Sequence, residues 1–403
     1  MKIPFSPPFI NDSIKSEVLD SLESGWITTG PKVKKLESQI SGLTNAPQVL
    51  CVNSWTSGAM LMLKWFGVGS GDEVIVPSYT YSATALAVIH VGAKPIMVDV
   101  SDDFNISLEA LAKVITDKTK VIMPVDIAGW PCDYKEINEL VLRKKELFRP
   151  NNEIQEKLGR ILVISDAAHS IGAEYHGEQT GVLTDITIFS LHAVKNVTTA
   201  EGGAICLNMP LPFNNEELYN TLRCYSLNGQ TKDAFTKSKA GAWSYDIIYP
   251  GLKINMPDVL AAIGIGQMES YVKTTLPERI AIFEEYNAHL SKMDWAVLPP
   301  YRSDKKRSSC HIYALRINGA DEQQRDRIIT LISEYDVAVN VHFKPMPLLS
   351  LFREMGYTIE DYPNAYKQYA NEISLPIYPQ LTNEDVAYIV KAVCESVEKV
   401  LYA

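Results

Sequence analysis

Lys195 and Asp166 are the residues whose setting first suggests chemistry. The segment Ser190-Leu191-His192-Ala193-Val194-Lys195-Asn196 follows an apolar run ending at Phe189 and precedes Glu201-Gly202-Gly203-Ala204, so the lysine is expected at the end of a buried strand. Upstream, Ile161-Leu162-Val163-Ile164-Ser165 runs straight into Asp166, with His169 three residues later. A carboxylate at the end of an apolar strand is costly to bury unless a cation or hydrogen bonds meet it. An amine and a carboxylate leaving two strands of one sheet suit pyridoxal 5'-phosphate (PLP): the lysine forms a Schiff base with the aldehyde, and the aspartate keeps the pyridine nitrogen protonated. The structural alternative makes Asp166 the cap of a helix starting at Ala167.

Other segments could complete such a site. Asn53-Ser54-Trp55-Thr56-Ser57-Gly58-Ala59 lies between an expected strand and an expected helix, where free N–H groups and the helix dipole favour a phosphate. Thr56 and Ser57 could add hydroxyl donors there, or simply cap the helix, and Ser190 is a third candidate of the same kind. Val76-Pro77-Ser78-Tyr79-Thr80-Tyr81 ends another strand with two aromatic rings, one of which could stack on a cofactor ring. His169 falls one turn beyond Asp166 and could pack on the same ring or bond its phenolic oxygen, while His192 could assist proton transfer near Lys195. His311 and His342 belong to the C-terminal part and could line a pocket between domains. Each histidine has the ordinary alternative of a satisfied structural residue.

The elements that must position these residues are visible as periodicity. Short apolar runs recur at Gln48–Val52, Glu73–Pro77, Pro95–Val100, Lys120–Val125, Ile161–Ser165, Ile186–Phe189 and Ala204–Leu207. Helical spacing of apolar residues over Trp55–Phe66, Ala83–Val91 and Asp133–Val141 fills gaps between them. Strands alternating with helices predict an α/β fold, a mostly parallel seven-stranded sheet sandwiched by helices, and ligands in such sheets collect at the carboxyl ends of strands. After Gly251 the pattern changes to helices over Pro257–Tyr271 and after Pro277, a strand at His311–Ile317, a helix at Glu322–Tyr335, a short strand at Ala338–Val341 and a last helix after Thr382. The expected division is a large domain, residues 1–250, and a smaller C-terminal α+β domain, residues 251–403. Arg143–Arg160 reads as a solvated helix extension, and Thr231–Ala240 as a mobile loop that could act as a lid.

Composition narrows the class. With 403 residues, 46% hydrophobic and 21% charged, the chain is long enough for about two domains and is typical of globular proteins rather than disordered or collagen-like ones. A formal charge of −10 argues against general nucleic-acid binding. The six cysteines are widely separated with no CxxC pair, which implies neither a zinc site nor a disulfide framework, and no metal is expected. The first residues lack the apolar core of a signal peptide, and no run approaches the ~20 apolar residues of a membrane span, so the expected location is the cytoplasm.

Taken in order, the segments resemble the DegT/StrS group of PLP-dependent nucleotide-sugar aminotransferases, within fold type I, the aspartate-aminotransferase-like enzymes. The resemblance rests on Gly25-Trp26-Ile27-Thr28-Thr29-Gly30-Pro31, Gly71-Asp72-Glu73-Val74-Ile75-Val76-Pro77, Gly92-Ala93-Lys94-Pro95, Asp166-Ala167-Ala168-His169, the Lys195 segment with Glu201-Gly202-Gly203, and Ser374-Leu375-Pro376-Ile377-Tyr378-Pro379. It implies that Lys195 is the Schiff-base lysine, Asp166 the partner of the pyridine nitrogen, Tyr81 the stacking ring, and Thr56, Ser57 and Ser190 phosphate contacts. His169 fills a position where the family has His or Gln. It also implies a homodimer with shared active sites, with Asn255, and less directly Asn228, as contacts given to the neighbouring subunit. Asn255 could equally cap the helix before Pro257. The chain departs from the family pattern at Trp55, where a small residue is usual and an indole could reshape the sugar pocket, at Leu227-Asn228-Gly229 in place of Asn-His-Gly, and at Met346-Pro347, where many relatives have a second His.

The implied reaction moves an amino group from L-glutamate, by way of pyridoxamine 5'-phosphate, to C4 of a UDP-linked 4-keto-6-deoxy-N-acetylhexosamine, for a surface polysaccharide or glycan. A lysine rather than a histidine at position 195 favours transamination over sugar dehydration. The rival readings are a C3-aminotransferase acting on a dTDP-3-keto-6-deoxyhexose and, from a different class, a catalytically silent PLP-binding regulator. Bleaching of the cofactor's visible absorbance by glutamate separates an enzyme from a regulator.

Overall fold

A computed structural model of the chain describes residues 2–232 and 243–402. The Thr231–Ala240 stretch, read from sequence as a mobile loop or lid, falls outside the described residues from 233 onward.

Seven strands form the main sheet: β1 Gln48–Val52, β2 Glu73–Pro77, β3 Lys94–Val98, β4 Thr119–Ile122, β5 Leu162–Asp166, β6 Ile186–Ser190 and β7 Gly203–Leu207. Their spatial order is β1-β7-β6-β5-β4-β2-β3. Pairing is parallel from β6 through to β3, and β7 alone runs antiparallel to both of its neighbours. Two reversals cancel, so β1 points the same way as β6, and the carboxyl ends of β1, β2, β5 and β6 open on one edge together with the amino end of β7. That edge is where a parallel sheet offers a crevice.

The strands are buried because both faces are covered. Along β1, Leu50 and Val52 belong to one apolar cluster and Val49 and Cys51 to another; along β7, Ile205 and Leu207 divide from Ala204 and Cys206 in the same way. This period of two is the strand's own geometry. Helices Trp55–Trp65 and Ala83–His90 contribute to the first cluster, and helices Pro31–Thr44 and Asp258–Ser270 to the second. Asp258, buried, joins those last two: its carboxylate accepts the N–H groups of Gly30 at 2.7 Å, Lys32 at 3.1 Å and Val33 at 3.0 Å, capping the helix that Pro31 begins.

A third cluster surrounds a small antiparallel sheet of Ala296–Val297, Tyr313–Ile317 and Glu372–Leu375. Phe283, Tyr286, Ile328 and Val393, from helices Leu276–Leu290, Glu322–Ser333 and Asn383–Leu401, pack on it. The expected strand Ala338–Val341 does not form. Its backbone bonds are taken singly by two partners: Ala338 donates to Ile3 at 3.0 Å, and Asn340 exchanges bonds with Ser374 at 3.1 and 2.8 Å.

The stretch from Arg143 to Arg160 is docked rather than solvated. It holds the short helix Glu153–Leu158, and the fully buried Gln155 donates to the Phe66 carbonyl at 2.8 Å while Asn151 donates to Asp72 at 2.8 Å.

The residues before the first long helix form a strap. Ile3 lies in the third cluster and donates to Asp336 at 2.9 Å, whereas Phe9 accepts a bond from Gln267, and Asn11 both caps helix Asp12–Glu23 and donates to Ser270 at 3.3 Å. Pro4, Pro7 and Pro8 lie between these anchors. They remove N–H donors and fix φ, which keeps such a segment out of helices and central strands.

Candidate active site

A cavity of about 500 Å³ opens on the carboxyl edge of the main sheet. Its wall includes Asp166 at the end of β5, Ser190 at the end of β6, Lys195 in the turn beyond, Ser54 and Thr56 after β1, and Tyr81 and Thr84 after β2. From the C-terminal half come His311, His342 and Phe343, and from the strap Phe5 and Ser6. Lys195 is the one Lys or Arg among the described residues lining it.

Asp166 is 4% exposed. Thr84 Oγ1 donates to its Oδ2 at 2.7 Å, and the Ala168 N–H to its Oδ1 at 3.2 Å. The second bond closes a turn, and no helix begins at Ala167. Burial pushes the carboxyl up to about 7, against the pull of these two bonds and of Lys195. Burial likewise lowers Lys195 to about 8, against the attraction of Asp166. Each group is thus held short of full ionisation by a common desolvated cavity.

The histidines are neutral for the same reason. His169 and His311 sit well below the usual imidazole range because they are buried, and His342 is brought down to about 4, with the Lys195 charge acting in the same sense on all three. His169 Nδ1 accepts the N–H of Ala128 at 3.2 Å, which leaves its proton on Nε2. Its ring lies nearly parallel to Phe343, with centroids 5.8 Å apart, and 4.5 Å from the ring of His311. His311 Nδ1 pairs with Asn196 Oδ1 at 2.9 Å, so the residue next to Lys195 is tied to the C-terminal half.

The start of helix Trp55–Trp65 carries the expected anion site. Ser54 is its cap, accepting from the Ser57 N–H at 3.1 Å, and the helix start leaves the earlier N–H groups without intrahelical partners. Thr56 lines the cavity; the Ser57 hydroxyl is occupied by Ser54 and Asn53. Gly203 makes the close approach possible, since a Cβ there would meet the Ser54 carbonyl and the Trp55 nitrogen at 2.7–2.8 Å. Trp55 is anchored in the wall, 5% exposed, with its indole N–H donating to the Ile188 carbonyl at 3.1 Å. Tyr81, 64% exposed, stands at the mouth with its ring 6.0 Å from that of Phe343.

Asn255 and Asn228 are not brought to this cavity by their own chain. Asn255 donates to Thr29 Oγ1 at 2.6 Å and faces a separate depression with Thr29 and Glu37, and Pro257 rather than Asn255 is the cap of the helix that follows. Asn228 takes a left-handed backbone conformation and donates through its N–H to Leu252 at 2.8 Å. Thr84, Phe5 and Phe343 join the site without having been singled out in the sequence. Thr84 carried a usable signal, because it lies one helical turn from Thr80 and Tyr81 at the end of β2.

These residues fit PLP. A buried carboxylate with a raised pKa faces a cavity from which a protonated ring nitrogen could be met, an amine held partly neutral stands in the same wall, and a helix start with hydroxyls provides for a phosphate.

Residues 8–394 match the model of the DegT/DnrJ/EryC1/StrS aminotransferase family. The spore coat polysaccharide biosynthesis protein SpsC of Bacillus subtilis is 33% identical over 401 residues, covering 98% of this chain and 97% of that protein. The UDP-4-amino-4-deoxy-L-arabinose–oxoglutarate aminotransferase of Shewanella sediminis is 34% identical over 403 residues, covering 98% of each. Among solved structures, Spr1654 of Streptococcus pneumoniae, described as a sugar aminotransferase, superposes in its pyridoxamine phosphate form with a TM-score of 0.96 at 41% identity, covering 99% of this chain and 100% of that one. Its PLP form gives 0.95 at 40% identity, covering 100% of each.

Proposed function

This chain belongs to the DegT/DnrJ/EryC1/StrS aminotransferase family as a PLP-dependent sugar aminotransferase, and from that premise we propose that it transfers the amino group of L-glutamate to C4 of a UDP-linked 4-keto-6-deoxy-N-acetylhexosamine, for a surface polysaccharide or glycan. The observation that carries the reading is the shared cavity of Lys195 and Asp166, whose pKa values burial brings towards each other, to about 8 and about 7. The choice of C4 and UDP is supported by the name of the Shewanella relative, which couples a UDP-linked 4-amino-4-deoxy sugar with oxoglutarate, the keto acid that glutamate becomes on giving up its amine.

Bound PLP supplies an aldehyde to which amines can be linked and a ring into which electron density from a substrate carbon can spread. Lys195 would be the amine that holds the aldehyde, and its burial-lowered pKa of about 8 would let it give and take a proton near the reacting carbon. Asp166 would keep the ring nitrogen protonated, since its carboxyl, raised by burial to about 7, would gain there the counter-charge it lacks. His169, neutral because buried, would pack on the ring. Thr56 at the helix start and Ser190 at the end of β6 would hold the phosphate, with Ser57, whose hydroxyl would first have to leave Ser54 and Asn53, as the third contact; Tyr81 would cover the ring from the mouth, and Trp55, His311 and His342 would shape the sugar side.

The proposal includes a homodimer in which Asn255 reaches the partner's site. Its position away from its own cavity supports this, as does the exposed apolar run of Trp243, 79% exposed, Tyr245, Ile247 and Ile248. It also includes a large domain of residues 1–250 and a small domain of 251–403, with the separate apolar cluster around Phe283 and Tyr313 in support and helix Asp258–Ser270 packed back on the large domain. No helix among the described residues is long and apolar enough to cross a membrane; a cytoplasmic site of action is part of the proposal.

The test is incubation of the PLP-loaded protein with glutamate and a panel of UDP-4-keto and dTDP-3-keto sugars, followed by product mass and NMR couplings. A 4-amino product from the UDP sugar is expected. Turnover of only the dTDP-3-keto sugar, or of none, would overturn the assignment.

A further inference from the structure

We infer that Glu372 and Ser374 are positioning residues that decide which nitrogen of His342 carries its proton, so that, with Glu372 neutral, His342 offers an Nε2–H donor to an oxygen of the nucleotide sugar. The donor role rests on the reading of the cavity as the sugar site; the control of the ring proton does not.

Glu372 and Ser374 are two apart on strand Glu372–Leu375, hence on one face of it, and both are fully buried. Glu372 Oε2 accepts the backbone N–H of His342 at 3.0 Å. Glu372 Oε1 shares a hydrogen bond with Ser374 Oγ, which lies 2.9 Å from His342 Nδ1. The ring cannot easily turn away. Phe5 stacks on it at 5.4 Å and 21°, Phe343 meets it edge-on at 5.0 Å, and the His342 carbonyl accepts the Tyr79 hydroxyl at 2.7 Å. With Nδ1 engaged behind, Nε2 is the polar atom left for the cavity that His342 lines.

A serine hydroxyl has one proton, and this makes the relay binary. Oε2 must accept from the His342 N–H, so a proton on Glu372 sits on Oε1 and is donated to Ser374 Oγ. The serine proton then goes to Nδ1, and the ring proton must reside on Nε2. When Glu372 is ionised, Ser374 turns its proton to Oε1 and accepts from Nδ1–H, leaving Nε2 as a bare acceptor. No heavy atom need move: Glu372 releases its proton to solvent, the ring proton exchanges from Nε2 to Nδ1 and the serine hydroxyl turns, yet the cavity sees a donor in one state and an acceptor in the other.

The surroundings favour the donor state near neutrality. Burial raises Glu372 to about 8, with the Arg325 guanidinium pulling the other way; Arg325 donates to the Glu372 carbonyl at 3.2 Å and is itself paired with Asp326 at 2.7 Å. Arg316 is the cross-strand partner of Glu372, and the Tyr79 hydroxyl stands beyond His342. Lys195 is the cation acting on His342 itself, which burial keeps neutral.

The experiment uses full-length apoprotein labelled with ¹⁵N in histidine, with two-bond ¹⁵N–¹H correlation spectra recorded from about pH 6 to about pH 9.5 and His342 identified by its loss in H342Q. Wild-type protein should show the Nε2–H tautomer at the acid end and pass to Nδ1–H through about pH 8. In E372Q the amide must accept from the His342 N–H and donate to Ser374, so Nε2–H should persist throughout; in S374A the switch should vanish. A wild-type ring whose tautomer ignores pH, or a switch that survives in S374A, overturns the relay, and the wild-type titration decides this even if a variant fails to fold. In the PLP-loaded enzyme, wild-type KM for the nucleotide sugar should rise roughly five- to tenfold above about pH 8 relative to E372Q, with KM for glutamate unchanged between the two. A tautomer switch without that sugar-specific difference overturns the donor role. Failure of every UDP sugar to react, with the switch present, overturns the substrate assignment instead.

Discussion

The backbone N–H of Ala128 donates to Nδ1 of His169 at 3.2 Å, so the tautomer of a histidine in the cofactor cavity is set by a single left-handed alanine. The carbonyl of the same Ala128 accepts the N–H of His311 at 3.1 Å, and the two imidazoles come within 4.5 Å of each other as a result. One turn therefore aligns two cavity walls.

Replacing His169 with Ala leaves that N–H without its acceptor and removes a ring packed on Phe343 and His311. The apoprotein should lose about 1–3 kcal/mol in urea unfolding. Gln, whose amide oxygen can accept the same bond, should recover most of it. Equal losses in the two variants would show that the hydrogen bond contributes nothing.

With Lys195 in the proposed role, loading of the apoprotein with PLP requires its neutral amine. With the amine lowered to about 8, the loading rate, followed by visible absorbance, should climb about tenfold per pH unit below that value and level off above it. Stability carries the same signature. Folding depresses this pKa from 10.5, so between about 8 and 10.5 the unfolded chain binds the extra proton, and the Lys195 contribution to stability grows as pH rises through that window. Lys195→Ala should abolish the lysine-linked absorbance and lower turnover by roughly 10²- to 10⁴-fold.

Asp166 works in the opposite direction. Its folded pKa, about 7, lies above the ordinary 3.8, so the native apoprotein holds the extra proton between those values and loses stability as pH rises across them. The ceiling on that loss is about 4 kcal/mol. Asp166→Asn should remove this pH dependence, making apo D166N relatively more stable at pH 8 than at pH 4. Turnover of the PLP-loaded variant should fall roughly 10²- to 10³-fold, as expected when one preorganised electrostatic partner is lost. A variant with wild-type turnover would exclude Asp166 as the partner of the ring nitrogen.

Gly203→Ala places a methyl group 2.7 Å from the Ser54 carbonyl. Because the obstacle is backbone, the turn must shift, at about 1–3 kcal/mol. PLP affinity should weaken with it, measured by equilibrium dialysis, while KM for glutamate at saturating PLP changes little.

Much of the fold was legible because buried parallel strands are contiguous apolar runs: β1 and β2 occupy the residues expected of them, β6 runs one residue further, and β5 is shifted by one residue at both ends. Asp166 was legible for the same reason, as a polar residue directly beyond such a run, and Lys195 as the lysine of the turn that follows another, five residues past β6. Ala338–Val341 misled because β-branched composition does not reveal that its bonds go to two separate partners. Strand Glu372–Leu375 was hidden by an acidic first residue, which is buried only because Ser374 and the His342 backbone receive it. Gln155 and Asn151 have the composition of a solvated loop, and their inward hydrogen bonds leave no mark in periodicity. Phe5 could not be assigned locally, since what places it against His342 is a bridge from Ile3 to the far end of the chain.

That bridge has a practical side. Ile3 is fastened to the C-terminal half and Asn11 to helix Asp258–Ser270, with Phe5 and Ser6 in the cavity wall between them. A purification tag fused ahead of Met1 would be tethered only a few residues from Phe5 and Ser6, and so from the cavity wall that they form. Handles for immobilisation or labelling belong at the carboxyl end, since helix Asn383–Leu401 contributes no residue to the cavity wall.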